Sequence, residues 1–185
     1  MNTHQNSSSP NDYLIGNDTH SDRQSCNYFV GSTDRITLGN GNKGIVVFSN
    51  PKASSVNIVM NYICSSNLSG EPVSLDIYYA TRVSGNLNLS SQIIQGNKAC
   101  QTSAPAKSKI YYGNGDVADG NRHILTQTLP AYKTCQDNLT SAVVLPPGTN
   151  HVYIFSTINN EATATICMCF TWWEEDVIRP SNSRN

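Results

Sequence analysis

One stretch near the C-terminus of this 185-residue chain alternates more regularly than any other, from Ala162 to Trp173. With the two-residue period of a β-strand, its residues divide into two faces. The first face is apolar and consists of Ala162, Ala164, Ile166, Met168, Phe170 and Trp172. The second face carries Thr163, Thr165, Cys167, Cys169, Thr171 and Trp173. The pattern therefore predicts a long antiparallel strand with one side against a hydrophobic core.

The second face of this strand places two cysteines, Cys167 and Cys169, two positions apart. Alternate residues of a strand are separated by about 6.6 Å, so their thiols are too far apart to bond comfortably to each other. We therefore expect each thiol to take a partner elsewhere. A strand of this kind suits a β-domain that is cross-linked to another protein, including a second copy of itself.

Short strand-like runs separated by turn signals follow one another from about residue 27 to residue 176. Residues 44–49 form a continuous apolar run, and residues 56–64 and 73–79 alternate cleanly. Glycine, asparagine and proline mark the turns, and no segment shows the period of an amphipathic helix. About eight to ten strands at this spacing predict an all-β fold, a two-sheet antiparallel β-sandwich of the jelly-roll type.

The N-terminal segment differs in composition, because residues 1–25 are rich in Asn, Ser, Asp and His and cannot fold alone. One apolar island, Tyr13, Leu14 and Ile15, interrupts this segment. Three interpretations stay open: a terminal strand docked on its own domain, a disordered tail, or an arm inserted into a neighbouring subunit by strand addition. The predicted organisation is a flexible N-terminal arm (1–25), a β-sandwich domain (26–177) and a C-terminal tail (178–185).

The chain has six cysteines without a C-x-x-C pair, and its four histidines are scattered. This spacing favours disulfides over structural zinc, and buried free thiols are the alternative to disulfides. The disulfide or cross-link candidates are Cys26, Cys64, Cys100, Cys135, Cys167 and Cys169. The least regular region, residues 96–136, is predicted to form long loops around one or two edge strands. Cys100 and Cys135 could staple this region, and the remaining connectivity stays open.

Charged residues make up only 14% of the chain, and the net charge is -1. No basic face is therefore expected for nucleic acid or an anionic membrane, and copies of the chain repel one another little. The first residues lack the basic and apolar regions of a secretory signal, and no run is apolar enough to span a membrane. We expect either a cytoplasmic protein or one that reaches an oxidising exterior without the general export route.

Motifs that suggest chemistry have simpler explanations in this sequence. The G-x-G-x-x-G run at residues 39–44 precedes a strand rather than a helix, so it predicts a hairpin turn and not a nucleotide site. Glu174, Glu175 and Asp176 are interpreted as a solvated acidic run rather than as paired catalytic carboxylates. Because no nucleophile motif is present either, we predict no enzymatic activity, no metal site and no cofactor.

Both ends of the predicted domain resemble a known family. The F-x-W-W-E-E ending at residues 170–175 is similar to that of an uncharacterised β-domain family of spore-forming Bacilli and Clostridia, as are residues 28–31 and 36–41. In its organisation into an N-terminal arm and a β-domain, the chain also resembles endospore appendage subunits, which are jelly rolls whose N-terminal arm docks on preceding subunits. A lone Cys26 stands here where that arm has paired cysteines. The resemblance implies a spore context without a signal peptide, and it implies no catalytic residue.

The sequence thus predicts a structural protein that assembles with itself into a surface fibre or layer, with other spore-surface proteins as further partners. Its expected assembly contacts are Tyr13, Leu14, Ile15, Trp172 and Trp173, and its expected inter-subunit cross-links are Cys26, Cys167 and Cys169. Of the two adjacent tryptophans, one faces inward and the other outward. The alternative is a β-sandwich module that binds a glycan or a cell-surface partner through its loops and the outward tryptophan.

Overall fold

The protein is all-β, and its computed structural model describes residues 26–80, 82–100, 104–117, 122–139 and 142–177. This part of the chain forms thirteen strands and no helix. In chain order they are β1 (Tyr28–Ser32), β2 (Ile36–Gly39), β3 (Gly44–Asn50), β4 (Val56–Asn67), β5 (Val73–Ala80), β6 (Val83–Leu89), β7 (Ile93–Gln95), β8 (Lys109–Val117), β9 (Arg122–Leu129), β10 (Thr134–Asn138), β11 (Val144–Leu145), β12 (Thr149–Thr157) and β13 (Thr163–Asp176). The predicted arm and tail, residues 1–25 and 178–185, lie outside the described residues.

The strands form two antiparallel sheets around a common core, which confirms the predicted β-sandwich. Sheet I has the order β10-β4-β13-β1-β7, with β11 also paired to β4 and β2 also paired to β13. Sheet II has the order β6-β8-β3-β12-β5-β9. The edge strands are therefore β10 and β7 in sheet I and β6 and β9 in sheet II.

The strand β13 is the centre of sheet I and follows the predicted alternation. It pairs with β4 from Ile166 opposite Asn67 to Asp176 opposite Val56, and it pairs with β1 on its other side. The inward rings of Phe170 and Trp172 lie 5.0 Å and 4.9 Å from the ring of Phe48 on β3, which joins the two sheets. Both inward side chains are fully buried, so β13 supplies the middle of the core.

Sheet II bends over its own outer face. Only residues 81 and 82 connect β5 to β6, although four inter-strand steps separate these strands in the sheet order. In a flat sheet those steps would amount to at least about 19 Å, whereas three Cα–Cα steps span at most about 11 Å. The pair of β6 and β8 must therefore curl across the outside of β3 and β12.

The curl creates a second hydrophobic core on the outside of sheet II. Ile45, Val47, Val152 and Ile154 point away from the first core, yet each is at most 3% exposed. They are covered by Tyr78, Val83, Leu87, Tyr111 and Val117. Glycine permits the bend, because a Cβ on Gly85, whose φ is 138°, would lie 2.3 Å from the carbonyl oxygen of Asn114.

The region from residue 96 to residue 136 is more regular than the sequence suggested. It contains β8 and β9 and the beginning of β10, and β8 is an internal strand between β3 and β6. The prediction of long loops around one or two edge strands is therefore wrong for β8. Its strand is hard to recognise because glycines at 113 and 115 interrupt the apolar pattern where the sheet bends.

Candidate functional site

A disulfide joins Cys26 to Cys100, with an S–S distance of 2.09 Å and 5.6 Å between the Cα atoms. It corrects two expectations, a bond between Cys100 and Cys135 and an inter-subunit role for Cys26. The reason is the antiparallel pairing of β1 with β7, which brings the residues before β1 next to those after β7. The bond spans 74 residues, for which the chain-entropy model gives about 4 kcal/mol of stabilisation.

A groove with a volume of about 410 Å³ lies beside this disulfide, along the edge strand β7; we call it the edge groove. Its wall includes Phe29, Ile93, Ile94, Cys100, Pro105 and Ala106. Ile94 is 53% exposed, a high value for a large apolar residue. Within the described chain, β1 is the sole strand paired with β7, so the other edge of β7 is open to an added strand.

Three cysteines lie together on the outer face of sheet I, and we call this group the thiol face. Cys169 on β13 lies directly opposite Cys64 on β4, and Cys167 lies opposite Ser66. All three thiols are partly buried and none is in a disulfide. The predicted outward position of Cys167 and Cys169 agrees with the structure. Cys135 is different, because it packs against the core between the sheets.

The backbone geometry keeps the thiols of Cys64 and Cys169 from bonding comfortably to each other. The amide of Asn67 points to β10, where it bonds the carbonyl of Lys133, so the amide of Leu68 points to β13 and bonds Thr165. By alternation Cys64 and Cys169 form a hydrogen-bonded pair. The Cβ atoms of such pairs are farther apart than the 3.5 to 4.5 Å of a disulfide, in general about 5.5 Å.

Burial and the neighbouring Cys64 thiol raise the pKa of Cys169 to about 11. At neutral pH Cys169 is therefore protonated, and a protonated thiol is a poor nucleophile. Cys167 stands two residues away on the same face. The thiol face thus holds three cysteines that form no disulfide within the described chain, and the thiols of Cys64 and Cys169 interact with each other.

The two tryptophans occupy opposite faces of β13. Trp172 is fully buried in the core, which corrects the expectation that it contacts another subunit. Trp173 lies on the outer face of sheet I, where its ring packs 5.3 Å from that of Tyr28 and next to Val59. Only 6% of Trp173 is exposed, so its ring offers no open platform for stacking a sugar.

Glu174 is buried, in contrast to the solvated run predicted for residues 174–176. Its side chain points inward, and its two oxygens accept hydrogen bonds from the amides of Lys107 and Ser108, each at 2.9 Å. The indole nitrogen of Trp172 also donates to Glu174, at 3.4 Å. The carboxylate therefore ties the segment before β8 to the end of β13, and its role in the fold is structural. Glu175 is exposed as predicted.

A second concave site lies where edge strand β9 of sheet II faces edge strand β10 of sheet I; we call it the inter-sheet cleft. It has a volume of about 310 Å³. Its lining combines apolar side chains with His151 and Asp137 and includes Ile63, Ile77, Tyr79, Leu125 and Val143. No local pattern in the sequence predicts this site, because its residues come from five strands and from the turn between β10 and β11. The one available signal was a histidine at an inward position of an apolar strand, β12.

His151 is the polar centre of the inter-sheet cleft. Only 4% of the residue is exposed, and burial lowers its pKa to about 4, so it is neutral at pH 7. Its Nδ1 lies 2.6 Å from the hydroxyl of Tyr153, whose pKa is raised by burial. Tyr153 is fully buried, and this ring nitrogen is the one hydrogen-bond partner of its hydroxyl among the described residues, so we assign the phenol as the donor and Nδ1 as the acceptor. The ring proton of His151 is therefore on Nε2.

The structure also locates the glycine-rich run and bears on metal binding and membrane helices. The glycine-rich run at residues 39–44 forms the tight turn between β2 and β3, with Gly39 paired to Asn42, as predicted for a hairpin. No three His, Cys, Asp or Glu side chains in the described parts of the chain are grouped so that they could hold a metal ion. Among the same residues, no helix is long and apolar enough to cross a membrane.

Replacing Glu174 by glutamine should lower the free energy of unfolding by about 2 kcal/mol. The glutamine side chain keeps one acceptor oxygen for one of the two backbone amides. Its NH2 group faces the other backbone amide, which loses its charged hydrogen-bond acceptor. Denaturant unfolding followed by tryptophan fluorescence measures the change. The matched control is Glu175→Gln, which removes the same charge from an exposed neighbour and should change stability by less than about 0.5 kcal/mol. Equal effects of the two variants would contradict the buried role of Glu174.

Stability should fall as the pH drops from 6.5 toward 4, in part because of His151. The unfolded histidine, with a pKa near 6.5, binds a proton in this range while the folded one, with a pKa of about 4, does not. The difference corresponds to about 3 kcal/mol once the pH is below 4. Unfolding free energies measured across this range should show a shallower slope for His151→Gln.

The histidine control is His123→Gln, because His123 lies exposed on β9 beside Asp76. This variant should change the slope less than His151→Gln does, because the His123 side chain is exposed. If His151→Gln kept the slope of the parent protein, the assignment of His151 as a buried neutral base would fail. Tyr79 packs 5.1 Å from the ring of His151, and Asp137 lines the same cleft, so both variants are compared with the parent protein under identical conditions.

Comparison with known proteins gives a family and a distant structural likeness. No curated protein sequence matches the chain. Among solved structures, the crystal structure of PirA covers 76% of this chain and 92% of that chain, with a TM-score of 0.41 and 11% sequence identity. A family described as "Family of unknown function (DUF6143)" matches residues 14–179. Since the match covers the whole described sandwich and part of the segment before it, the chain belongs to the DUF6143 family.

Proposed function

We propose that the protein is a structural subunit that assembles with itself through the thiol face and its N-terminal arm. The observation that carries the proposal is the thiol face. Cys64, Cys167 and Cys169 stand side by side on the outside of a regular sheet, at positions whose geometry opposes bonds within the chain. A sheet face of one copy laid against that of another would bring such thiols into bonding range.

The arm provides the second contact of the proposed assembly. The Cys26–Cys100 disulfide attaches the root of the arm to the wall of the edge groove. From Ile15 to Cys26 an extended chain reaches about 36 Å, enough for Tyr13, Leu14 and Ile15 to add to β7 of a neighbouring copy. The family match begins at residue 14, which supports a role for this segment beyond that of a variable tail.

Composition supports self-association rather than binding to a charged partner. With a net charge of -1 and 14% charged residues, copies approach without strong repulsion. The proposed setting is a fibre or layer at a spore surface or in another extracellular place, with other spore-surface proteins as further partners. It follows the resemblance of the closing F-x-W-W-E-E motif, and the disulfide suits an oxidising exterior.

The same features argue against a catalytic role. In the acidic run, Glu174 is used to bind backbone amides of the segment before β8. The glycine-rich run is a turn. A glycan-binding module stays the alternative from the sequence, but the buried Trp173 removes the aromatic platform on which that alternative relied.

Replacing all three cysteines of the thiol face by serine should abolish disulfide-linked oligomers of the air-oxidised protein. The full chain should show a ladder on a non-reducing gel and extended particles by negative-stain electron microscopy, and reductant should collapse the ladder. The matched control is Cys135→Ser, which removes an inward thiol and should leave the ladder intact.

Deletion of residues 1–25 from the full-length protein tests the arm contact separately from the thiol-face contact. If the arm docks in trans, extended particles should disappear even where disulfide-linked dimers persist. A strictly monomeric full-length protein under oxidising conditions would overturn the proposal. Assembly that survives the deletion would overturn the proposed role of the arm.

A further inference from the structure

The inter-sheet cleft has the dimensions of a small-molecule site and is separate from the surfaces used in the proposed assembly. Its volume of about 310 Å³ equals about ten water molecules at 30 Å³ each. That space suits a molecule of roughly ten non-hydrogen atoms, at the lower end of ligand cavities in proteins. The cleft lies at the β9–β10 edge, whereas the edge groove lies at β7 on the opposite edge of sheet I.

The mouth of the cleft concentrates exposed apolar side chains. Ile124 and Leu125 on β9 are 45% and 44% exposed, and Tyr79 on the neighbouring strand β5 is 37% exposed. Ile63 and Ile77, both largely buried, continue this apolar surface inward. A contiguous apolar surface that leads into a concavity gains free energy when a ligand covers it. The body of the ligand should therefore be aromatic or aliphatic.

The polar groups of the cleft define the rest of the ligand. Nε2 of His151 carries the proton, because Nδ1 accepts from Tyr153, and no described group accepts that proton. Asp137 is the one charged residue among those that line the cleft, and it is half-buried on an inward position of β10. Arg122, paired with Tyr79 at the rim, is exposed and lies outside the lining. Tyr79, Gln136 and Asn138 also bring polar groups to the lining but are exposed, so the cleft offers one buried neutral donor, from His151, and one carboxylate.

Further unsatisfied polar atoms lie next to the cleft inside the sandwich. Ser65 and Gln127 follow Ile63 and Leu125 at the next inward positions of β4 and β9. The hydroxyl of Ser65 and the amide nitrogen of Gln127 are buried and have no hydrogen-bond partner. Neither residue belongs to the cleft lining, so these atoms add polar character behind its wall rather than contacts to a guest.

We infer that the inter-sheet cleft binds a small arylalkylamine: an aromatic ring between Tyr79, Ile77 and Leu125, an ammonium group at Asp137 and a hydrogen-bond acceptor on Nε2–H of His151. The positive charge matches the single carboxylate of the lining, and a ring with a short amine chain fills the volume. This ligand site is independent of self-assembly, which uses other faces of the sandwich.

Isothermal titration of the full-length protein with tyramine tests the inference, since tyramine combines a ring, an amine and a phenolic oxygen. We expect saturable binding of one molecule per chain, with affinity reduced at least tenfold by Asp137→Asn. The matched control is Asp176→Asn, which removes one negative charge from an exposed position at the end of β13 and should leave affinity unchanged. Far-ultraviolet circular dichroism verifies that each variant is folded.

Two analogues separate the parts of the site. Phenethylamine lacks the phenolic oxygen and should bind more weakly than tyramine, and this difference should vanish in His151→Phe. The carboxylate 3-(4-hydroxyphenyl)propionate has a similar ring and the opposite charge, and it should not bind. No saturable binding of tyramine at millimolar concentration, equal binding of the carboxylate, or full affinity in Asp137→Asn would overturn the inference.

Discussion

The packing of β13 against β3 is the interaction on which the rest of the structure depends. Phe170 and Trp172 on β13 meet Phe48 on β3 across the space between the sheets, and all three are fully buried. Strict alternation then sends every second side chain of β13 outward, so the same strand that closes the core also carries Cys167 and Cys169. Core and candidate interface are therefore two faces of a single element.

The ends of β13 show how a core strand organises more distant segments. Glu174, at an inward position, holds the amides of Lys107 and Ser108 and thereby sets the start of β8. From there β8 and β6 bend over the outside of sheet II and bury a second apolar cluster. The part of that outer face formed by β3 and β12 is consequently covered by the chain itself. The outer face of sheet I keeps its thiols partly accessible, and the two sheet edges keep their concave sites.

These surfaces assign different chemistry to different parts of one sandwich. The thiol face and the edge groove offer cysteine and backbone groups, which suit contacts between protein chains. The inter-sheet cleft offers a neutral histidine, a carboxylate and apolar walls in a small volume, which suit a small molecule. His151 is neutral because burial disfavours its charged form, and the hydroxyl of Tyr153 then determines which ring nitrogen keeps the proton.

The sequence alone determined the all-β class and the outward position of Cys167 and Cys169, because a two-residue period is a local property of the chain. It also determined the turn at residues 39–44. Only the tertiary structure decided that Cys26 pairs with Cys100, that Glu174 is buried and that His151 and Asp137 share a cleft. Each of these joins residues from strands far apart in the chain. Which strands become neighbours depends on long-range sheet pairing, for which no local pattern in the sequence exists.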